Sequence, residues 1–512
     1  VSNPLDMLAG GFAHVLQGGA AFHALWATLI GIIIGALPGL TATMGVALLT
    51  TLTFGMGHET AMLVLVCVYV GAIYGGSRSA ILLNIPGTPA SAASTLDGFP
   101  LAKQGLAGRA MGISTSGSWL GTLFGTAILA LFAPSFGEFA LRFGSYEMFW
   151  VAMFGIVIAG SLSGGDPLKG YIAGFLGLFV ATIGQETNHA YARFAFGNPD
   201  LAGGLGLLPV LVGVFGVAEV LSSMRGPSVQ AVASKIDSVV PRIGDVLRYW
   251  KTILRSGAIG TFIGAMPGLG EDIAAWTSYA AAKRASKESQ KFGKGSIEGL
   301  MSAETGESAC VPGAIIPVLT LAVPGSAPAA VLMAAMMIHG LNPGPMLAIT
   351  APEFIYQIVA MLIVADMVKL FYGLVLVRPL LWILLIPRER LMPIVFVLCT
   401  VGAFAITSRL FDIWVMLGAG LVGFVLRELR FPMAPLVLGI VLGDLLDKNL
   451  LRGLVLSGGD IAPFFTRPIS AGLCALTALA ALWSIPGVAG RLRGLIGRGA
   501  SPVLGGWTPG KE

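Results

Sequence analysis

No Asp, Glu, Lys or Arg occurs between Met7 and His58, and in the middle of that run stands Gly35-Ala36-Leu37-Pro38-Gly39-Leu40-Thr41-Ala42-Thr43. An uncharged apolar run of this length belongs in lipid. A Pro-Gly pair inside a helical pattern removes a backbone donor and breaks the hydrogen-bond ladder. In hydrocarbon the break is tolerated only where protein or a water-filled cavity supplies partners for the freed groups. The same pattern returns in the second half as Gly264-Ala265-Met266-Pro267-Gly268-Leu269-Gly270. Each copy follows a similar lead-in, Leu29-Ile30-Gly31-Ile32-Ile33-Ile34 against Ala258-Ile259-Gly260-Thr261-Phe262-Ile263. Paired interruptions in two halves of an apolar chain point to a transporter's binding site.

Composition agrees. The chain is 55% hydrophobic and 11% charged, with a mean hydropathy of +0.84, where soluble domains carry about 25% charged residues. A soluble protein of 512 residues with this composition could not cover its surface with polar groups. A cytosolic enzyme is therefore set aside, and the fold class read here is an all-α polytopic membrane protein. The first residues, with Asp6 and no basic segment, read as an amphipathic lead into the first span and not as a cleavable signal peptide. Cys67, Cys310, Cys399 and Cys474 are isolated in apolar contexts without metal spacing, so they read as packing residues. The net charge of +5 is no nucleic-acid signal, because the basic residues collect in loops between spans, where they set orientation.

Apolar stretches long enough for a span of roughly 20 residues run over about 111–136, 148–163, 170–184 and 201–218, then 354–377, 392–408, 413–426, 432–443 and 469–490. Together with the broken segments they give roughly 10–12 spans. The partition is a first membrane repeat over 1–224, a basic cytoplasmic linker over 225–251, a second repeat over 252–490 and a basic tail over 491–512. Basic loops flank the segment Thr252 to Ala282 on both sides, so it reads as a re-entrant hairpin with Met266-Pro267-Gly268-Leu269-Gly270 at its tip. The first copy, Phe22 to Phe54, is compatible with entry from the opposite face, which makes the repeat inverted, or with two full spans around Pro38. A second matched pair follows in the same order: Leu82-Leu83-Asn84-Ile85-Pro86-Gly87-Thr88-Pro89-Ala90 and Thr320-Leu321-Ala322-Val323-Pro324-Gly325-Ser326-Ala327-Pro328.

A half-helix that starts after Pro-Gly offers free N–H groups and a positive dipole end, which suit a carboxylate. A half that stops there offers carbonyls that suit Na⁺. The candidate substrate site is therefore Pro38, Gly39, Leu40, Thr41 and Thr43 from the first break and Asn84, Pro86, Gly87 and Thr88 from the second. The other half contributes Pro267, Gly268 and Gly270, then Pro324, Gly325 and Ser326. The plainer alternative is that these residues only kink spans or allow close packing; four breaks in matched order weigh against it. Glu271 and Asp272 follow the second tip and are candidates for binding a cation or a coupling proton, or for complementing the macrodipole alone. Glu304 and Ser308 share a helix face and are further ion-coupling candidates. Arg78 either pairs with a substrate carboxylate or snorkels at the cytoplasmic interface, the reading preferred from sequence. Neither a nucleotide-binding nor a nucleophile motif is present, so no ATP-driven or catalytic role, no cofactor and no metal beyond Na⁺ is expected.

At these residues the chain resembles the large membrane subunit of tripartite tricarboxylate transporters, the TctA family. The resembling pieces are the stretch from Gly35 to Thr43, Tyr74-Gly75-Gly76-Ser77 leading into Ile81 to Pro89, and Leu96-Asp97-Gly98-Phe99-Pro100-Leu101-Ala102-Lys103-Gln104-Gly105. In the second half they are Gly264 to Gly268, Asp272-Ile273-Ala274 and Phe292-Gly293-Lys294-Gly295-Ser296-Ile297-Glu298-Gly299. Val323-Pro324-Gly325-Ser326, His339-Gly340-Leu341-Asn342-Pro343-Gly344-Pro345, Asn449 and Ser457-Gly458-Gly459-Asp460 complete the set. The resemblance implies a secondary active importer of carboxylates in a bacterial inner membrane, driven by Na⁺ or H⁺. It further implies a small four-span membrane partner and a periplasmic solute-binding protein. Glu307-Ser308 stands where the family pattern has Asn-Asn, Glu271 where it has a small residue, and Arg78 where it is uncharged. A channel or exporter using the same broken helices without a binding protein is the alternative; an intramembrane enzyme lacks a catalytic constellation.

Replacing Gly39 or Gly268 with valine is expected to abolish solute uptake while membrane insertion persists, measured by vesicle uptake alongside membrane fractionation. Normal uptake would contradict a role for the tips.

Overall fold

The computed structural model describes residues 4–17, 19–37, 39–162, 166–186, 191–224, 242–376, 379 and 388–484. Helices dominate, as the apolar runs require. In the first half they are α1 (Pro4–Leu16), α2 (Ala20–Ala36), α3 (Ala42–Leu52), α4 (His58–Leu83), α5 (Ala92–Leu101), α6 (Ala107–Ala140), α7 (Ser145–Leu162), α8 (Pro167–Ala181) and α9 (Leu207–Ser223). In the second half they are α10 (Trp250–Ala265), α11 (Gly270–Ala285), α12 (Ile297–Leu321), α13 (Ala327–Ile338), α14 (Pro352–Val375), α15 (Arg388–Thr407), α16 (Leu410–Glu428), α17 (Met433–Leu456) and α18 (Pro468–Trp483). Among the described residues, His58–Leu83, Pro89–Ala140, Pro352–Val375 and Leu410–Glu428 are long and apolar enough to cross a membrane by length and composition. Several shorter apolar helices accompany them. Of the expected linker, 225–241 lies outside the described residues, as does the tail 491–512. The short helix Ile243–Arg248 ties the remainder down through Asp245, which pairs with Arg109 at 2.9 Å.

The helix breaks fall where the Pro-Gly pairs stand. α2 ends at Ala36 and α3 starts at Ala42; α10 ends at Ala265 and α11 starts at Gly270. The spans expected from apolar runs overlap α6 to α9 and α14 to α18, although the helix expected from 201 starts at Leu207; 163, 377 and 485–490 lie outside the described residues. Helix α17 continues beyond the expected end at Gly443 to Leu456, because its charged residues are used: Asp447 pairs with Arg193 at 2.5 Å and Asp444 with Lys448 at 2.6 Å. Two helices escaped a search for charge-free runs, α4 with Glu59 and Arg78 and α12 with Glu298, Glu304 and Glu307. They are the innermost of all, buried from Ala61 to Leu82 and from Gly299 to Thr320.

Small residues set the packing, since helices in lipid associate by close backbone approach. On α6, Gly117, Gly121 and Gly125 lie against Met301, Thr305 and Ala309 of α12, so the two helices run in parallel. Gly31 and Gly35 of α2 lie against Val68 and Ala72 of α4, again in parallel. Gly260 and Gly264 of α10 meet Gly306 and Cys310 of α12 in the same register. Helix α11 crosses α12 in the opposite sense, with Gly306 against Ala274 and Gly299 against Tyr279. The central helices α4 and α12 are mutually antiparallel: Ser77 bonds Glu307, and Ile81 and Leu300 both border Gly98.

Contacts exchange elements between the halves. Helix α6 packs on α12, while α14 packs on α4; α3 packs on α13, and α11 on α5 and the Pro89–Ser91 turn. Helix α17 lies with α7 and α8, while α9 lies with α15 and α16. The hydrophobic interior is consequently continuous across both halves.

A Cβ at Gly121 would stand 2.4 Å from the Thr305 carbonyl oxygen, so Gly121→Leu should lower the thermal unfolding midpoint of the purified protein or prevent its recovery in monodisperse form. Gly418, which borders open space, should accept alanine without a shift in the same assay.

Candidate functional site

The first break is built by Gly39, whose φ of 97° lies in the left-handed region, and by Thr41, which caps α3 by accepting from Met44 N at 3.2 Å. Pro38 lies outside the described residues. In the second half the turn uses Gly268 (φ 77°) and Gly270 (φ 72°). The later breaks match one another closely. Helices α4 and α12 end on left-handed residues, Asn84 (φ 59°) and Ala322 (φ 57°). Gly87 N then donates to Gly76 O at 3.2 Å and Gly325 N to Ala314 O at 3.4 Å. Gly87 sits against the carbonyl of Gly35, and Gly325 against that of Gly264, each too close for a side chain. Thr88 and Ser326 open the next elements; Ser326 accepts from Ala329 N at 3.4 Å, and Thr88 N donates to Ser91 Oγ at 3.3 Å.

The broken ends are thus joined in pairs, first with first and second with second. Gly270 N also donates to Gly325 O at 3.3 Å, closing the second pair. The two pairs meet α4 at different heights, near Gly76 for the first and at Tyr69 for the second. At 1.5 Å per residue this is a separation of roughly 10 Å along the axis. Tyr69 Oη donates to Glu271 Oε1 and, with its proton used, accepts from Ser326 Oγ at 2.7 Å. One tyrosine of the first half therefore holds both broken ends of the second. Glu271 is buried, while its neighbour Asp272 is exposed.

The other expected site residues differ in their surroundings. Gly268 lies against Ala159 and Leu438, and Pro267 against Gly155, so this tip is wedged between α7 and α17. Leu40 and Thr43 are buried, Pro324 is buried, and Asn84 and Pro86 are exposed. Ser308 is buried and bonded to Ser118 Oγ at 2.8 Å.

A polar seam runs between α4, α6, α12 and α14 at the height of the first pair. Arg78 is 1% exposed, which overturns the interfacial reading. Its guanidinium donates to Tyr74 Oη at 3.0 Å, Thr115 Oγ1 at 3.2 Å, the Met111 carbonyl at 3.4 Å and Ser114 Oγ. Ser77 Oγ donates to Glu307 Oε1 at 2.9 Å. Lys369 pairs with Asp366 at 2.5 Å and donates to Thr122 Oγ1 at 2.9 Å and the Ser118 carbonyl at 3.2 Å. Tyr69, Ser77, Asp366 and Lys369 were missed from sequence. An acid and a base three residues apart inside an apolar span was the available signal for the last two. No comparable signal marked Tyr69.

Two of the family-like motifs prove to be one contact. Asp97 Oδ1 accepts from the backbone N–H groups of Gly293, Gly295 and Ser296 at 2.8, 2.9 and 2.7 Å, and Oδ2 from Tyr279 Oη at 2.9 Å. Gly299 leaves room for the carboxylate, which stands where its Cβ would be. The aspartate of the first half thereby anchors the loop that joins α11 to α12. A cavity of about 290 Å³ lies elsewhere, beside the starts of α2 and α4, lined by Gln17, His23 and Glu59 among others. Among the described residues no three His, Cys, Asp or Glu side chains gather as a metal-binding group.

Broken helices around a buried charged seam, inside an apolar helical molecule, define a multi-pass membrane protein of the transport class. The chain belongs to the tripartite tricarboxylate transporter TctA family, which it matches over residues 22–438. It is 34% identical over 449 residues, 88% of this chain and 89% of the relative, to an Agrobacterium vitis protein described as "Uncharacterized 52.8 kDa protein in TAR-I ttuC' 3'region". A second Agrobacterium vitis protein, "Uncharacterized protein in TAR-II ttuC' 3'region", is 33% identical over 217 residues, covering 42% of this chain and 90% of the relative. No solved structure matches the chain.

Asp97→Ala removes the acceptor of three amides, of which the buried one of Ser296 alone costs about 1–3 kcal/mol when left unpaired. The variant should show a lower unfolding midpoint and faster proteolysis between residues 286 and 296, whereas Asp97→Asn, which keeps one acceptor oxygen, should fall between it and the parent.

Proposed function

We propose that this chain is the translocating subunit of a binding-protein-dependent importer that carries a carboxylate solute across a bacterial inner membrane. In this reading a periplasmic solute-binding protein delivers the solute, a small four-span membrane subunit assembles with the chain, and a Na⁺ or H⁺ gradient supplies the energy. The observation that carries it is the Tyr69 contact with Glu271 and Ser326, which ties both broken ends of one half to the central helix of the other. A joint of this kind couples the occupancy of one break to the position of the other half.

The helix registers support a re-entrant, inverted arrangement. Because α2 runs parallel to α4, and α10 to α12, each chain must double back at its Pro-Gly break before entering the central helix. The antiparallel relation of α4 and α12 then relates the halves by inversion. Alternating access would move these hairpins against α7, α8, α17 and their counterparts α9, α15 and α16.

The N-terminal ends of α3 and α13, with Thr41, Thr43 and Ser326, and Thr88 before the Pro89–Ser91 turn offer donors to the anion without adding buried charge. Glu271, Asp272, Glu304 and Ser308 are the groups for the coupling ion in this reading, Asp272 being the exposed one of the four. A channel or exporter would need neither a binding protein nor a gradient.

Inside-out-controlled vesicles carrying the chain with its small membrane subunit should take up carboxylate only with binding protein and an inward cation gradient. Tyr69→Phe should reduce the initial rate at least tenfold without changing the amount inserted. Uptake that ignores both gradient and binding protein would favour the channel.

A further inference from the structure

Glu304 and Glu307 stand one helical turn apart on α12, both 0% exposed. Neither oxygen of Glu304 has a hydrogen-bond partner, nor does Glu307 Oε2. The hydroxyls of Ser94 on α5, Ser114 on α6 and Ser77 on α4 flank the Glu304 carboxylate, yet Ser94 Oγ is likewise without a partner. Four buried oxygens, none with a well-formed hydrogen bond, thus gather in one place.

The charges around them are few and can be counted by element. Helix α4 contributes Arg78, with Tyr74 beside it; α14 contributes the Asp366–Lys369 pair, neutral as a unit; α11 contributes Glu271 near Glu307. Arg78 spends its guanidinium on Tyr74, Ser114, Thr115 and a carbonyl, turned toward α6. Glu304 and Glu307 against Arg78 leave one negative charge, and Glu271, held by Tyr69, adds another beside Glu307. A buried charge in lipid requires compensation.

We propose that Glu304, Glu307 Oε2 and Ser94, flanked by Ser77, form a binding site for one Na⁺, resting on the transport reading above and naming its coupling ion. A single proton satisfies two oxygens at most, whereas a hard cation takes oxygen ligands by the half-dozen. One positive charge offsets what Arg78 leaves uncancelled on Glu304 and Glu307. The site draws two helices of the first half, α4 and α5, onto one of the second, so filling it favours one packing of the two halves over another.

The test needs no transport. The thermal unfolding midpoint of the purified chain in detergent is followed as NaCl replaces choline chloride at constant ionic strength and pH. Ligand binding to the folded state raises the midpoint as the logarithm of concentration. The parent should rise by several degrees with Na⁺; Glu304→Gln should lose the rise, and Ser94→Ala should need at least tenfold more Na⁺ for it. Should Glu304→Gln fail to fold, the Ser94→Ala titration decides. No rise in the parent, a rise unchanged in folded Glu304→Gln or Ser94→Ala, or a rise that follows pH and ignores Na⁺ would overturn the site. Na⁺ stabilisation lost in Glu304→Gln without any uptake by the parent would reject the transport reading and leave the site standing; gradient-driven uptake indifferent to Na⁺ would do the reverse.

Discussion

Charge carried through the middle of an apolar molecule has to be partnered by protein, and in this chain that requirement falls on α4 and α12. Lipid offers nothing to Arg78, Glu304, Glu307 or Lys369. The remaining helices therefore surround these two so completely that both are buried over almost their whole length. The glycine stripes on α2, α6 and α10 bring backbones close enough to exclude lipid from the seam. Hydroxyls of Ser114, Thr115, Ser118 and Thr122 line the same face of α6 as acceptors and donors.

The exchange of elements between halves follows from the same requirement. A half that packed only on itself would leave Tyr69 without Glu271 and Ser77 without Glu307. Crossing α6 to α12 and α14 to α4 gives every charged position a wall from the other half. Asp97 does this at the end of the bundle, where one carboxylate gathers three amides and a phenol from the second half. Motifs far apart in sequence, Leu96 to Gly105 and Phe292 to Gly299, are complementary surfaces of a single joint.

Much of the helical layout was legible because lipid imposes a strong rule on apolar length, and because Pro-Gly breaks are local chemistry. The breaks at Ala36 and Ala265 sit where the prolines demanded. The rule also misled. Counting charge-free runs passed over α4 and α12, whose charges are tolerated only because they are buried among partners. It likewise passed over Asp366 and Lys369, which neutralise each other one turn apart. The neighbours of the tip at Pro267 and Gly268, among them Ala159 and Leu438, follow from no local pattern; a turn that needs glycine for its backbone angle is also a turn that packs tightly.

By itself the sequence determined the membrane class, most of the apolar helices, and the existence of matched breaks, since each is a property of neighbouring residues and their cost of transfer from water. Tertiary structure alone decided that the breaks stand in two pairs at different heights, that Tyr69 joins them, and that Glu304 is left without a hydrogen bond beside Ser94. These depend on contacts between residues some two hundred positions apart. Which acid meets which hydroxyl is fixed by the register of antiparallel helices, and register is a property of the packed whole.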